Sequence, residues 1–252
     1  MLNIIQSEHL KYKHSFSKKL VFIAPLFFVL YAVIVRIYIP SGEGTPWEFF
    51  ICMVFNWWPL LFIPLGTALL CALSEGRERK AGNYRGLRVY NINPSSFWFG
   101  KIAVLAFYTL LSSVIMIFVV FFAGLMIAQG TVPFAKIVEA SLMIWLVSLS
   151  IIPIQLLAAA WKGAVASVGL SILGMLAGVL AAPKSSWVFV PWSWPLRLMC
   201  PIIGVHPNGV PLEAGDPLLN PSVIPPGIVI SLVFFVITAI LTAIWFSKRE
   251  VR

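Results

Sequence analysis

The chain has 252 residues, 60% hydrophobic and 11% charged, with mean hydropathy +0.94 and a formal net charge of +9. A soluble domain carries roughly a quarter charged residues and less than half apolar ones, so this composition excludes one and requires an integral membrane protein. The positive balance does not point to nucleic acid, because the cations flank apolar runs, where they set orientation and meet anionic lipid.

Residues 1–19 are polar and basic, with Leu2, Ile5, Tyr12 and Phe16 at helical spacing. They predict an amphipathic helix lying in the interface and leading into the first span. No small-residue cleavage motif follows, so a removable leader is not expected. Apolar windows then predict six transmembrane helices near 20–38, 49–73, 97–128, 137–160, 163–182 and 225–246, each long enough to cross a hydrocarbon core of roughly 30 Å. The expected fold is an all-α integral membrane protein, with a six-span domain over 20–252.

Span 2 contains Asn56, Trp57, Trp58, Pro59 and Pro64. Proline removes a backbone donor, and an amide in hydrocarbon needs a partner. Two readings stand: a kinked helix with Asn56 bonding across helices, or a lateral surface for an amphipathic substrate. Residues 74–96 form a basic loop, and the stretch from Glu75 to Lys101 holds six cations against Glu75 and Glu78. Spans 4 and 5 are separated by Trp161, Lys162 and Gly163, which predicts a helical hairpin. Gly174 and Gly178 in span 5 are spaced for helix packing. Residues 183–224 are a long excursion with Trp187, Trp192 and Trp194 among prolines. These rings read as an interfacial belt, with a re-entrant element before span 6 as the other reading.

Six spans put both termini on one side. That side carries Lys11, Lys13, Lys18, Lys19, the six loop cations, Lys162, Lys248, Arg249 and Arg252, whereas the other carries Arg36, Lys136, Lys184 and Arg197. Fourteen against four predicts N-in, C-in topology, with 183–224 extracytoplasmic.

Catalytic motifs do not occur. There is no GxxxxGK[ST] phosphate loop, HExxH pair or GxSxG elbow, and Cys52, Cys71 and Cys200 have neither disulfide nor metal-site spacing. The middles of the predicted spans hold no Asp, Glu, Lys or Arg, which argues against a proton relay or a charged channel ring. No catalytic or metal site is expected, and no cofactor is expected to bind this chain. A membrane scaffold moved by another protein fits these features.

Three stretches carry a resemblance: SEHLKYKHSFSKKL at Ser7–Leu20, FNWWPLLFIPLGTALLCAL at Phe55–Leu73 and ERKAGNYRGLRVYNINPSSFWFGKI at Glu78–Ile102. Their E-x-L-K-x-K, NWW and YR-x-L patterns resemble the permease subunits of type-2 ABC exporters, specifically those of lantibiotic-immunity transporters. The resemblance implies a bacterial plasma-membrane permease that expels lantibiotic peptides. It also implies two copies of a separate ABC ATPase holding ATP and Mg, and a second, non-identical permease chain. The loop then becomes a coupling loop, with Glu75, Arg77, Glu78, Arg79, Tyr84 and Arg85 as contacts for the ATPase. Asn56, Trp57, Trp58, Trp187, Trp192 and Trp194 become candidate substrate contacts. The alternatives are a peptide-sensing membrane receptor, or an ABC permease for another amphipathic or lipid substrate.

Overall fold

The computed structural model describes residues 2–13, 15–38, 45–82, 84, 87 and 89–250. Lipid offers no hydrogen bonds to a backbone, so apolar segments satisfy their own polar groups as helices. Helix α1 is Leu2–Leu10 and α2, the first span, is Phe16–Tyr38. Span 2 is α3 (Trp47–Trp57), a π-turn (Trp58–Phe62) and α4 (Ile63–Lys80). Span 3 is α5 (Pro94–Ile127), and span 4 is α6 (Phe134–Ser148), a 3-10 turn (Leu149–Ile151) and α7 (Ile152–Lys162). Span 5 is α8 (Ala164–Ala181). Then come the inserted helix α9 (Ser193–Ile203) and span 6, α10 (Ile224–Glu250). All six spans are long and apolar enough to cross a membrane. Two-residue strands Thr45–Pro46 and Ala128–Gln129 pair in parallel at the end of the bundle opposite the termini.

Spans 2 and 4 are broken where proline dictates. Pro59 has no N–H for the Phe55 carbonyl, and the chain loosens into a π-turn in which the Ile63 N–H reaches Trp58 O. Pro153 likewise leaves Leu149 without its usual donor, and a 3-10 turn precedes it. Span 3 starts sharply: Asn93 Oδ1 accepts the N–H groups of Ser95 and Ser96, with Pro94 at the first helical position.

Two structural findings alter the expected organisation. Spans 2 and 3 are each 34 residues long, about 51 Å at 1.5 Å per residue and well beyond a ~30 Å hydrocarbon core. Helix therefore continues through Glu75–Lys80 and covers Lys101, so the linker between spans 2 and 3 is 81–93 rather than 74–96. Lys101, counted from sequence among the loop cations, is a buried helical residue.

The second change concerns 183–224. Trp187, Trp192 and Trp194 are buried, which contradicts an interfacial belt. Helix α9 folds inward against spans 4, 5 and 6 and α3. It can approach because Gly174 and Gly178 have no side chains. A Cβ on Gly174 would lie 2.3 Å from the Trp192 ring, and one on Gly178 would lie 2.8 Å from the Trp192 carbonyl oxygen. The small-residue pair in span 5 thus seats an internal tryptophan. The core has two layers. One, toward the base that bears both termini, surrounds Trp98, Leu105, Phe246 and Tyr12; the other, toward the far end, surrounds Trp47, Phe55, Trp58 and Trp194.

Candidate functional site

At the base, helix α1, the last turns of span 2, the 81–93 linker and the start of span 3 meet in a buried charged node. Glu75 and Lys101 are each 1% exposed. Lys101 Nζ donates to Glu75 Oε1 at 2.7 Å and lies 3.7 Å from Glu78 Oε1. The Tyr84 hydroxyl donates to the other Glu75 oxygen. Lys11 Nζ bridges Glu78 Oε1 at 2.6 Å and Glu8 Oε1 at 2.5 Å, which ties α1 to span 2. Arg77 stands over the Tyr12 ring at 4.4 Å and donates to Ser17 Oγ at 2.7 Å. Tyr12 in turn stacks on Tyr108 of span 3 at 4.1 Å.

The electrostatics suit a permanent tie. Burial pulls the Lys11 ammonium toward lower pKa, but Glu8 and Glu78 outweigh it and hold the group above its ordinary value. Burial pushes the Tyr12 phenol up. Three carboxylates face Lys11 and Lys101, with Arg77 alongside, so the formal charges balance. Unpaired, any of them would carry a desolvation cost of several kcal/mol, as an estimate for buried ions. Tyr84 sits in the left-handed region at φ 68, which costs a non-glycine residue roughly 1–2 kcal/mol. Its hydroxyl bond to Glu75 and its edge contacts with Phe97 and Phe246 hold it there.

The six residues expected to meet an ATPase divide accordingly. Glu75, Glu78 and Tyr84 are buried in the node. Arg77 is half-buried over Tyr12, with Nε and Nη2 unpartnered among the described residues. Arg79 reaches sideways, donating to the Ala159 and Ala160 carbonyls at 3.1 Å, and Arg249 also donates to Ala160 O at 2.7 Å. These cations neutralise the C-terminal end of α7, whose last carbonyls have no helical donors. Arg85 and Arg88 lie outside the described residues. Among the described residues, the large apolar side chains that the linker presents outward are Val89 and Tyr90, each 76% exposed. Sequence reasoning passed over both because it followed charge. A valine and a tyrosine in a basic loop, each lacking a polar job, were the available signal.

The candidate substrate residues also separate. Asn56 is buried, and its amide donates to the carbonyls of His206 at 3.3 Å and Pro207 at 3.1 Å. Trp58 is buried against Phe28 and Phe62. Trp57 alone of the NWW trio faces outward, 41% exposed. Beside it lies a small apolar cavity of about 60 Å³ lined by Phe27, Phe28, Tyr31, Met53 and Trp57. Trp187, Trp192 and Trp194 belong to the interior and are not brought to this surface.

Glu8, Lys11 and Tyr84 come from the E-x-L-K-x-K and YR-x-L patterns, and both patterns converge on the same node. Residues 4–178 match the family model described as "ABC-2 family transporter protein". The match starts within α1, takes in the node and spans 1 to 4, and ends within span 5, before α9. No curated protein and no solved structure matches the chain.

Proposed function

The chain belongs to the ABC-2 transporter family, and from that premise we propose that it is the permease of a lantibiotic-immunity exporter driven through its base. Membership makes it a multi-pass membrane permease of an ABC exporter, in bacteria a plasma-membrane protein, with an ABC ATPase as partner. The finer reading is ours. The base faces the cytoplasm, in line with the fourteen-to-four distribution of cations. A partner ATPase, in two copies and holding ATP and Mg, docks on the exposed linker at Val89 and Tyr90. A second permease chain, not identical to this one, completes the pore-forming pair.

The observation that carries the reading is the buried node. Lys11, Glu75, Glu78, Tyr84 and Lys101 join α1, span 2, the linker and span 3 in one rigid assembly. A push on the linker is therefore felt by three helices at once. Glu75, Glu78 and Tyr84 transmit force, and Arg77 and Arg79 brace neighbouring elements. The chemistry of ATP stays on the partner.

The cargo is an amphipathic lanthionine-bridged peptide taken from the bilayer. Trp57 with Phe27, stacked at 6.3 Å between ring centres, forms an aromatic face turned outward. Such rings favour the boundary between apolar chains and headgroups, where these peptides lie. Asn56, Trp58, Trp187, Trp192 and Trp194 support that face from within. The test is to reconstitute the chain with its co-purifying ATPase in vesicles and to add a lantibiotic. Peptide-stimulated ATP hydrolysis is expected. Hydrolysis that responds to phospholipid alone, with no peptide effect, would contradict the cargo assignment.

A further inference from the structure

After α9 the chain forms a compact loop with its own bonding. The His206 N–H donates to Val210 O at 2.8 Å, the Gly209 N–H to His206 O at 2.8 Å, and the Leu212 N–H to Gly204 O at 2.7 Å. Asn208 Oδ1 accepts the Val210 N–H at 3.1 Å. Gly204 (φ 88) and Gly209 (φ 96) supply the left-handed turns that close it. Residues 204–212 are thus pre-shaped without help from the spans.

Asn56, 3% exposed near the far end of span 2, ties this loop to the bundle. Its side chain bonds two successive loop carbonyls, those of His206 and Pro207. Its Oδ1 lies against Gly209, where an added Cβ would come within 3.2 Å. One turn earlier, Cys52 is buried with Sγ 4.0 Å from the Gly204 carbonyl oxygen. The π-turn begins two residues after Asn56. Nineteen residues beyond Asn56, about 28 Å along the helix at 1.5 Å per residue, Glu75 is fixed in the base node. Span 2 therefore has a firm hold at each end and a loosened backbone between them. A π-turn interrupts the regular i→i−4 ladder and is frequently found at functional sites.

We infer that residues 204–212 form a flap latched to span 2 by Asn56, which swings open as a unit when span 2 shifts at its π-turn. Opening uncovers Asn56 and Cys52 on the face opposite the base. That this face is the exit side rests on the exporter reading above; the latch itself does not.

The native thiol reports the latch. In the assembled transporter, Cys71→Ala and Cys200→Ala leave Cys52 as this chain's remaining cysteine, and labelling of this chain by a membrane-impermeant maleimide is followed. Asn56→Ala removes two hydrogen bonds, and labelling is expected to accelerate roughly 5- to 30-fold. Should Asn56→Ala lower the amount of folded chain, Asn56→Leu keeps the side chain's bulk while donating nothing to the His206 and Pro207 carbonyls, and must also speed labelling. Amide exchange at His206, Gly209 and Leu212 must stay slow in both variants, because a flap that opens as a unit keeps its own bonds. Unchanged labelling in both variants, or loop amides that exchange as fast as Cys52 is exposed, overturns the proposal. Asn56-dependent labelling that requires reagent on the cytoplasmic side supports the latch and contradicts the exporter orientation, so the two failures are told apart.

Discussion

Replacing Lys101 with methionine removes the cation at the centre of the base node while keeping a side chain of similar length. Lys101 Nζ lies 2.7 Å from Glu75 Oε1 and 3.7 Å from Glu78 Oε1, inside protein. Breaking a buried pair from one side costs about 3–5 kcal/mol, because the stranded charge has lost its solvent and its partner. Here the lower end is expected, about 3 kcal/mol, since Glu75 keeps its bond from Tyr84 and Glu78 keeps Lys11. Glu75→Gln alone should cost less, about 1–2 kcal/mol, because Lys101 still has Glu78 nearby. The double variant Lys101→Met with Glu75→Gln should lie within about 1 kcal/mol of the parent, since no buried charge is left stranded. The coupling between the two sites is then at least about 3 kcal/mol. Unfolding of the purified chain in mixed micelles, read by the fluorescence of its ten tryptophans, measures it. A Lys101→Met variant within about 0.5 kcal/mol of the parent, with no coupling to Glu75, is the behaviour of exposed surface charges and would refute the node.

Trp57→Ala should weaken peptide stimulation of ATP hydrolysis about tenfold at unchanged abundance, as loss of an exposed aromatic anchor does. Trp58→Ala should instead lower stability by about 3–5 kcal/mol through a core cavity, seen in the same micelle unfolding. Gly174→Ala drives a methyl to 2.3 Å from the Trp192 ring and should cost at least about 1–3 kcal/mol; a neutral result would mean that α9 does not lie against span 5. The Lys11 pKa is raised in the folded chain, so its contribution is complete below the ordinary value of 10.5 and is lost as pH rises through the folded value. Intrinsic-rate-corrected amide exchange of α1 should therefore stay flat through neutral pH and quicken only above 10.5. Quickening near pH 7 would show that another group holds the helix.

The spans were legible because lipid imposes one strong rule on composition, and the same rule makes long apolar runs helical. The base was half legible. Charge counting found Glu75, Glu78, Arg77 and Arg79, but nothing in their spacing says that Lys11, sixty-seven residues away, would bond Glu78. Nor does it say that Tyr84 would turn inward. Acidic and basic residues at helix ends read alike whether they face a partner protein or each other. The Trp/Pro segment misled for a similar reason, since tryptophan suits an interface and a packed core equally well. Gly174 and Gly178 decide between them, and they do so only once Trp192 is placed against them. Asn56 was legible as a polar group needing a partner, but its partners, two loop carbonyls 150 residues on, were not.

The central claim is that a partner ATPase moves this chain by gripping the exposed linker rather than the buried charges. Val89→Asp with Tyr90→Asp changes two side chains that are each 76% exposed and should leave folding intact. Co-purification of the ATPase with this variant, beside the parent, is the direct measurement. The account predicts a normally abundant chain that no longer retains the ATPase and no longer supports peptide-stimulated hydrolysis. Full retention of the ATPase by that variant would contradict it.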